Sequence, residues 1–137
     1  MKLVDEAGGL ACMRHAQKRV VTVAVDQLTF RQPIRIGDLV TLTAEVSYVG
    51  RTSLEAEIHV VAENPITGEC THTNTAYLVY VALAEDGNPV SVPQLIPETD
   101  AERQRMDEGK ARQAYRLAQS KLAAQRDQSA GSGKGKP

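Results

Sequence analysis

A chain of 137 residues with 42% apolar side chains is long enough to close one hydrophobic core and short for two, so one domain with a tail is expected. Sixteen basic side chains against seventeen acidic ones leave a formal charge of -1, and with aromatics at 4% and no tryptophan neither an electrostatic nor a base-stacking surface for nucleic acid is expected. No apolar run approaches the roughly 20 residues that span a bilayer, no signal peptide precedes Cys12, and Cys12 and Cys70 match no metal-ligand or redox spacing, so the chain reads as cytoplasmic, with two reduced thiols, no metal and no membrane partner.

Residues 2–12 predict a nearly apolar helix that carries one carboxylate pair, Asp5 and Glu6. A helix apolar over most of its circumference is expected to be buried. A carboxylate on such a helix is costly unless it is paired, solvated or used, which makes Asp5 the leading candidate for catalysis; a helix-start residue meeting the dipole is the plain alternative. Gly8 and Gly9 cost helix stability and are expected where a helix presses close to a sheet. Arg19–Asp26 is dense in β-branched residues and predicts a strand. Pro33 and Gly37 break residues 29–38 into an irregular crossing.

Leu39–Val49 then alternates, with Val40, Leu42, Ala44, Val46 and Tyr48 on the core face. Gly50 and Arg51 turn the chain into Ser53–Glu63, where Leu54, Ala56, Ile58, Val60 and Ala62 make the next buried face. Pro65 and Gly68 close a hairpin into a last strand at residues 70–84, apolar on both faces in its second half, as expected of a strand covered on both sides at an oligomer interface. Residues 98–127, rich in Glu, Arg, Gln and Ala, predict a surface helix with a thin apolar stripe, and residues 128–137, mostly Gly, Ser and Lys, a disordered tail. The order of elements predicts an α+β domain over residues 1–97, an antiparallel sheet curling around the first helix, with the last helix peripheral. His15, His59 and His72 have no partner at catalytic spacing and are expected to be structural.

Several separated motifs occur in one order: Lys2-Leu3-Val4-Asp5-Glu6-Ala7-Gly8-Gly9, Arg14-His15-Ala16, Val21-Thr22-Val23, Phe30-Arg31-Gln32-Pro33-Ile34 with Gly37-Asp38, Gly50-Arg51-Thr52-Ser53, and Val81 to Gly87 with Val92-Pro93. Over residues 2–95 they resemble the hotdog-fold acyl-CoA thioesterases of the cytosolic acyl-CoA hydrolase type. The resemblance implies the hotdog fold, a homodimer or homohexamer, hydrolysis of fatty acyl-CoA to free fatty acid and CoA, and no cofactor apart from the coenzyme A that is part of the substrate. It implies that Asp5 is catalytic, either activating water or attacking the thioester carbonyl, chemistry for which a carboxylate suffices because thiolate leaves readily. By the same resemblance Asn74 belongs to the catalytic site, hydrogen-bonding substrate or water opposite Asp5 across a subunit boundary, with strand pairing or an interface contact as its alternative. Arg51, Thr52 and Ser53 meet coenzyme A from a turn, with a simple hairpin and an exposed arginine as theirs.

The family's first strand and the Gly-Gly segment that supplies an oxyanion donor would lie before Met1, so weak activity is expected of a chain beginning there. Two other functions are weighed. One is a non-catalytic hotdog protein that binds acyl-CoA or serves as a regulatory subunit. The other is an acyl-thioester hydratase, disfavoured because Asp5 and His15 lie about 15 Å apart along a helix.

Overall fold

The computed structural model describes residues 2–26 and 34–132; residues 29–33 of the crossing expected at 29–38, and with them the motif from Phe30 to Pro33, lie outside them. The elements are α1 (Lys2–Ala16), β1 (Arg19–Asp26), β2 (Leu39–Val49), β3 (Ser53–Glu63), β4 (Cys70–Leu83) and α2 (Asp100–Ser132). The strands form one antiparallel sheet in the order β1-β4-β3-β2, and α1 lies on one face of it, packed against all four strands. The α+β hotdog arrangement expected from the sequence is therefore present. Residues 1–97 and 98–137 are two compact units.

The chain order explains the sheet. β2, β3 and β4 follow one another through short turns and pair as neighbours, which leaves the free side of β4 for β1. The β3–β4 turn is held by Asn64, whose carbonyl accepts from Gly68 N at 2.7 Å while Gly68 takes a φ of 75°. α1 ends on Gln17, whose φ of 53° and bond from its N–H to the Met13 carbonyl at 2.7 Å make a left-handed helix stop that turns the chain into β1.

α1 is not buried all round. Its buried residues are Val4, Gly8, Cys12 and Ala16, one small-residue stripe at a spacing of four. Leu3 and Leu10 stay 66% and 58% exposed. A single sheet covers one side of a helix, and the small stripe is the side that lies flat on it. Asp5, expected on a buried surface, is exposed at the edge of that stripe. Gly8 is required by close approach, since a methyl group there would stand 2.5 Å from the Tyr80 hydroxyl and 3.1 Å from Ile58 Cδ1.

The core between helix and sheet is built from Leu54, Ala56, Ile58 and Val60 of β3 and Ala76, Leu78, Tyr80 and Ala82 of β4, with Cys12 from α1. Burial pushes the Cys12 thiol up to about 12, so it stays protonated; Cys70 is an exposed free thiol. The alternation expected of β2 holds from Leu42 to Val46; Val40, also expected on the core face, is exposed. Register with β3 slips between Val46 and Tyr48, and beyond the slip Val49, 3% exposed, takes the core position expected for Tyr48.

In the second unit, α2 begins at a cap in which the Thr99 hydroxyl oxygen accepts from Glu102 N at 3.1 Å, and the Glu102 carboxylate accepts from Glu98 N at 2.8 Å. The helix runs on to Ser132, so the tail expected from residue 128 is helical over its first five positions. Within it the Ser129 hydroxyl donates back to the Gln125 carbonyl at 2.7 Å. Residues 133–137 lie outside the described chain.

Candidate active site

Asp5 sits in the first turn of α1, where the positive end of the helix dipole favours a negative side chain. Beneath it Thr22 of β1 pairs with Tyr80 of β4. Directly paired residues point to the same face of a sheet, so both hydroxyls rise toward the helix at one level. Thr22 Oγ1 donates to Asp5 Oδ1 at 2.7 Å. The Tyr80 hydroxyl donates to the Asp5 backbone carbonyl at 2.8 Å and reaches Oδ1 at 3.2 Å, one phenolic proton shared between two acceptors of the same residue. Both side-chain bonds end on Oδ1. Among the described residues none is made to Oδ2.

These groups border an open cleft of about 340 Å³, with Glu6 on the same helix and an apolar lining that includes Leu10, Met13 and Val20. One tethered carboxylate oxygen and one free one, beside apolar side chains, suit an apolar acyl group whose carbonyl is to be attacked by water or by the carboxylate itself. Tyr80 is no acid or base here. Burial, and then the charge of Asp5 and the hydrogen bond to it, push its ionisation far above the ordinary phenol value, so the hydroxyl is a fixed donor.

The other residues singled out in the sequence fall elsewhere. Leu54 pairs with Tyr80 and Ser53 with Val81, so the turn Arg51-Thr52-Ser53 lies at the same end of the sheet as Asp5, two strand spacings or about 10 Å from β1. Its backbone is bound to neighbouring segments: the Arg51 carbonyl accepts from Val92 N at 3.1 Å and the Thr52 carbonyl from Ala82 N at 3.0 Å. The Arg51 side chain is exposed. Asn74 pairs with Val60, six residues before Tyr80 on β4, which is about 20 Å along the strand. It is 2% exposed, its Oδ1 has no hydrogen-bond partner among the described residues, and within one chain it does not meet Asp5.

Thr22 and Tyr80 are the site residues that sequence reasoning missed. Both were legible only as strand residues, because the seventeen positions from Asp5 to Thr22 and the 75 to Tyr80 become a contact only through the helix-on-sheet geometry. The histidines also find partners. His15 Nε2 lies 2.8 Å from the Pro93 carbonyl, and His59 and His72 face each other across β3 and β4 at 3.2 Å, with Glu57 bound to His59 at 2.8 Å. None of them lines the cleft. No group of three or more potential metal ligands occurs among the described residues, and no helix there is long and apolar enough to cross a membrane.

A family model described as the thioesterase superfamily matches residues 1–69. The cytosolic acyl coenzyme A thioester hydrolase of Rattus norvegicus is 36% identical over 114 residues, covering 82% of this chain but 30% of that protein. The chain thus spans less than a third of that curated relative. Among solved structures, the acyl-CoA hydrolase of Staphylococcus aureus, seen in complex with butyryl coenzyme A and coenzyme A, superposes with a TM-score of 0.85 at 30% identity, covering 96% of this chain and 80% of that one. Alanine variants of that enzyme at an asparagine, an aspartate and a threonine have also been solved. A hexameric hotdog-fold thioesterase of Campylobacter jejuni superposes with a TM-score of 0.62 at 30% identity over 67% of this chain and 71% of that one.

Proposed function

The chain belongs to the thioesterase superfamily, and from that premise we propose that it hydrolyses fatty acyl-CoA to free fatty acid and coenzyme A at the Asp5 cleft. The observation that carries the reading is the Asp5 carboxylate itself, held through Oδ1 by Thr22 at 2.7 Å with Oδ2 left to the cleft. The Staphylococcus aureus enzyme adds support, because the aspartate and the threonine altered in it are seventeen positions apart, the separation of Asp5 and Thr22.

In the proposed reaction Oδ2 takes a proton from water as the water oxygen attacks the thioester carbonyl. The tetrahedral intermediate expels the thiolate of coenzyme A, which takes the proton back from Asp5. In the second route open to the same carboxylate, Oδ2 attacks the carbonyl directly and thiolate leaves; water then cleaves the resulting anhydride, releasing the fatty acid and restoring the Asp5 carboxylate, and the proton set free goes to the thiolate. No cofactor enters either route. Arg51, with the backbone of Thr52 and Ser53, is proposed to meet the phosphates or pantetheine of coenzyme A from the neighbouring turn.

A homodimer or homohexamer is part of the proposal. The exposed Leu3, Leu10, Val21, Val23 and Val25 support it, as apolar surface that a second copy would cover, and so does the hexamer formed by the Campylobacter jejuni protein. Asn74, whose buried Oδ1 lacks a donor among the described residues, is proposed to act at the boundary between copies. The name of the rat relative supports a cytosolic setting. Light scattering is expected to give the mass of two or six chains; a single-chain mass at micromolar concentration contradicts the assembly.

Thiol release from acetyl-, butyryl- and palmitoyl-CoA tests the activity. Asp5→Ala is expected to lower the rate at least about 100-fold, the scale of a removed general base. A variant as fast as the wild type would refute the reading.

A further inference from the structure

We propose that Tyr80 is the positioning residue of this cleft, its hydroxyl pinning the Asp5 carboxylate and the first turn of α1 to one point of the sheet so that Oδ2 is the oxygen presented to substrate. The proposal rests on the reading of Asp5 as the hydrolytic carboxylate.

Tyr80 is suited to the task by where the fold puts it. It is held from both sides, paired to Thr22 on β1 and to Leu54 on β3, and it is 2% exposed. A ring so enclosed has no freedom to swing its hydroxyl. The helix surface is cut away to admit it: at Gly8 a methyl group would meet Oη at 2.5 Å and ring carbon Cε2 at 3.2 Å. Phenylalanine would fill the same ring space, so packing alone does not call for the hydroxyl. A buried hydroxyl without a partner is a cost, and this one is tolerated because it bonds two acceptors of one residue, the Asp5 carbonyl at 2.8 Å and Oδ1 at 3.2 Å.

The two acceptors give the bond its meaning. The carbonyl belongs to the backbone of α1 and Oδ1 to its reactive side chain, so one donor fixes the helix against the sheet and orients the carboxylate it carries. Thr22 alone would leave Asp5 tethered at a single hydroxyl, and the carboxylate could rotate about its terminal torsion, which is a soft one. With Tyr80 added, Oδ1 is held from two strands. The carboxylate in turn keeps the phenol protonated, so the donor stays in place.

Tyr80→Phe keeps the ring and removes the donor. Its steady-state kinetics on butyryl-CoA, with Asp5→Ala and thermal melting run alongside, test the proposal. We expect kcat to fall about tenfold, the scale of one hydrogen bond to a charged group, with KM within about twofold of wild type. The loss should fall on kcat and not on KM, because what is removed is the orientation of the reacting carboxylate and not a contact to the substrate. A kcat that matches wild type, with Asp5→Ala inactive, overturns the role of Tyr80 and leaves Asp5 standing. A loss confined to melting temperature and KM, with kcat unmoved, assigns Tyr80 to packing and likewise overturns it. Full activity in Asp5→Ala overturns the reading on which the proposal rests.

Discussion

Asp5 and Glu55 are both carboxylates that accept a hydroxyl hydrogen bond from a neighbouring strand, Asp5 from Thr22 and Glu55 from Ser47, each at 2.7 Å. Their surroundings differ. Glu55 is 1% exposed and Ser47 0%, on the face of β3 opposite its core residues Leu54 and Ala56, whereas Asp5 is exposed at the rim of a cleft. The bond is the same and solvent access is not. A carboxylate sealed within the sheet suits a structural part, while one at the rim of a cleft with an oxygen left unbonded among the described residues is accessible to a substrate, as the proposed chemistry requires.

Substitutions on the two sides should separate activity from stability. The largest effect is expected from Asp5→Asn, which keeps the shape of the side chain: thioester hydrolysis should fall at least about 100-fold while the melting temperature stays within a few degrees of wild type. On the other side, Ser47→Ala removes a buried donor to Glu55 and should lower the unfolding free energy in urea by about 1–3 kcal/mol, with kcat unchanged. An inactive Ser47→Ala protein of wild-type stability would break the comparison, for it would give the sealed carboxylate a part in the chemistry.

The contrast also explains what the sequence could and could not disclose. All four strands are legible from local signals, β-branched density in β1 and alternation in β2, β3 and β4, because each such pattern is fixed by the residues of one segment. Bulges are not. The slip at Ser47 leaves no mark in the hydrophobic pattern, so Tyr48 was expected where Val49 lies and the enclosure of Glu55 went unseen. Burial of α1 was overestimated because composition does not tell how many sides of a helix are covered; the stripe Val4, Gly8, Cys12 and Ala16 is legible only once the sheet is in place.

Within the site, Asp5 stood out as a charge on an apolar helix. Thr22 and Tyr80, the residues that hold it, carry no local sign of doing so, because their meeting depends on the pairing of β1 with β4 and on the height at which α1 crosses them. The histidine pair across β3 and β4 was hidden for the same reason, since register between strands is a property of the fold.

The central claim is that Asp5 and Thr22 work as one unit, and a double-mutant cycle on kcat/KM for butyryl-CoA tests it most directly. Thr22→Val is expected to reduce kcat/KM about tenfold in the wild-type background and to have almost no further effect in Asp5→Asn, because residues that act together are not additive. Independent, multiplying losses in the double variant would contradict the account, showing that Thr22 acts on hydrolysis by some route other than the carboxylate it touches.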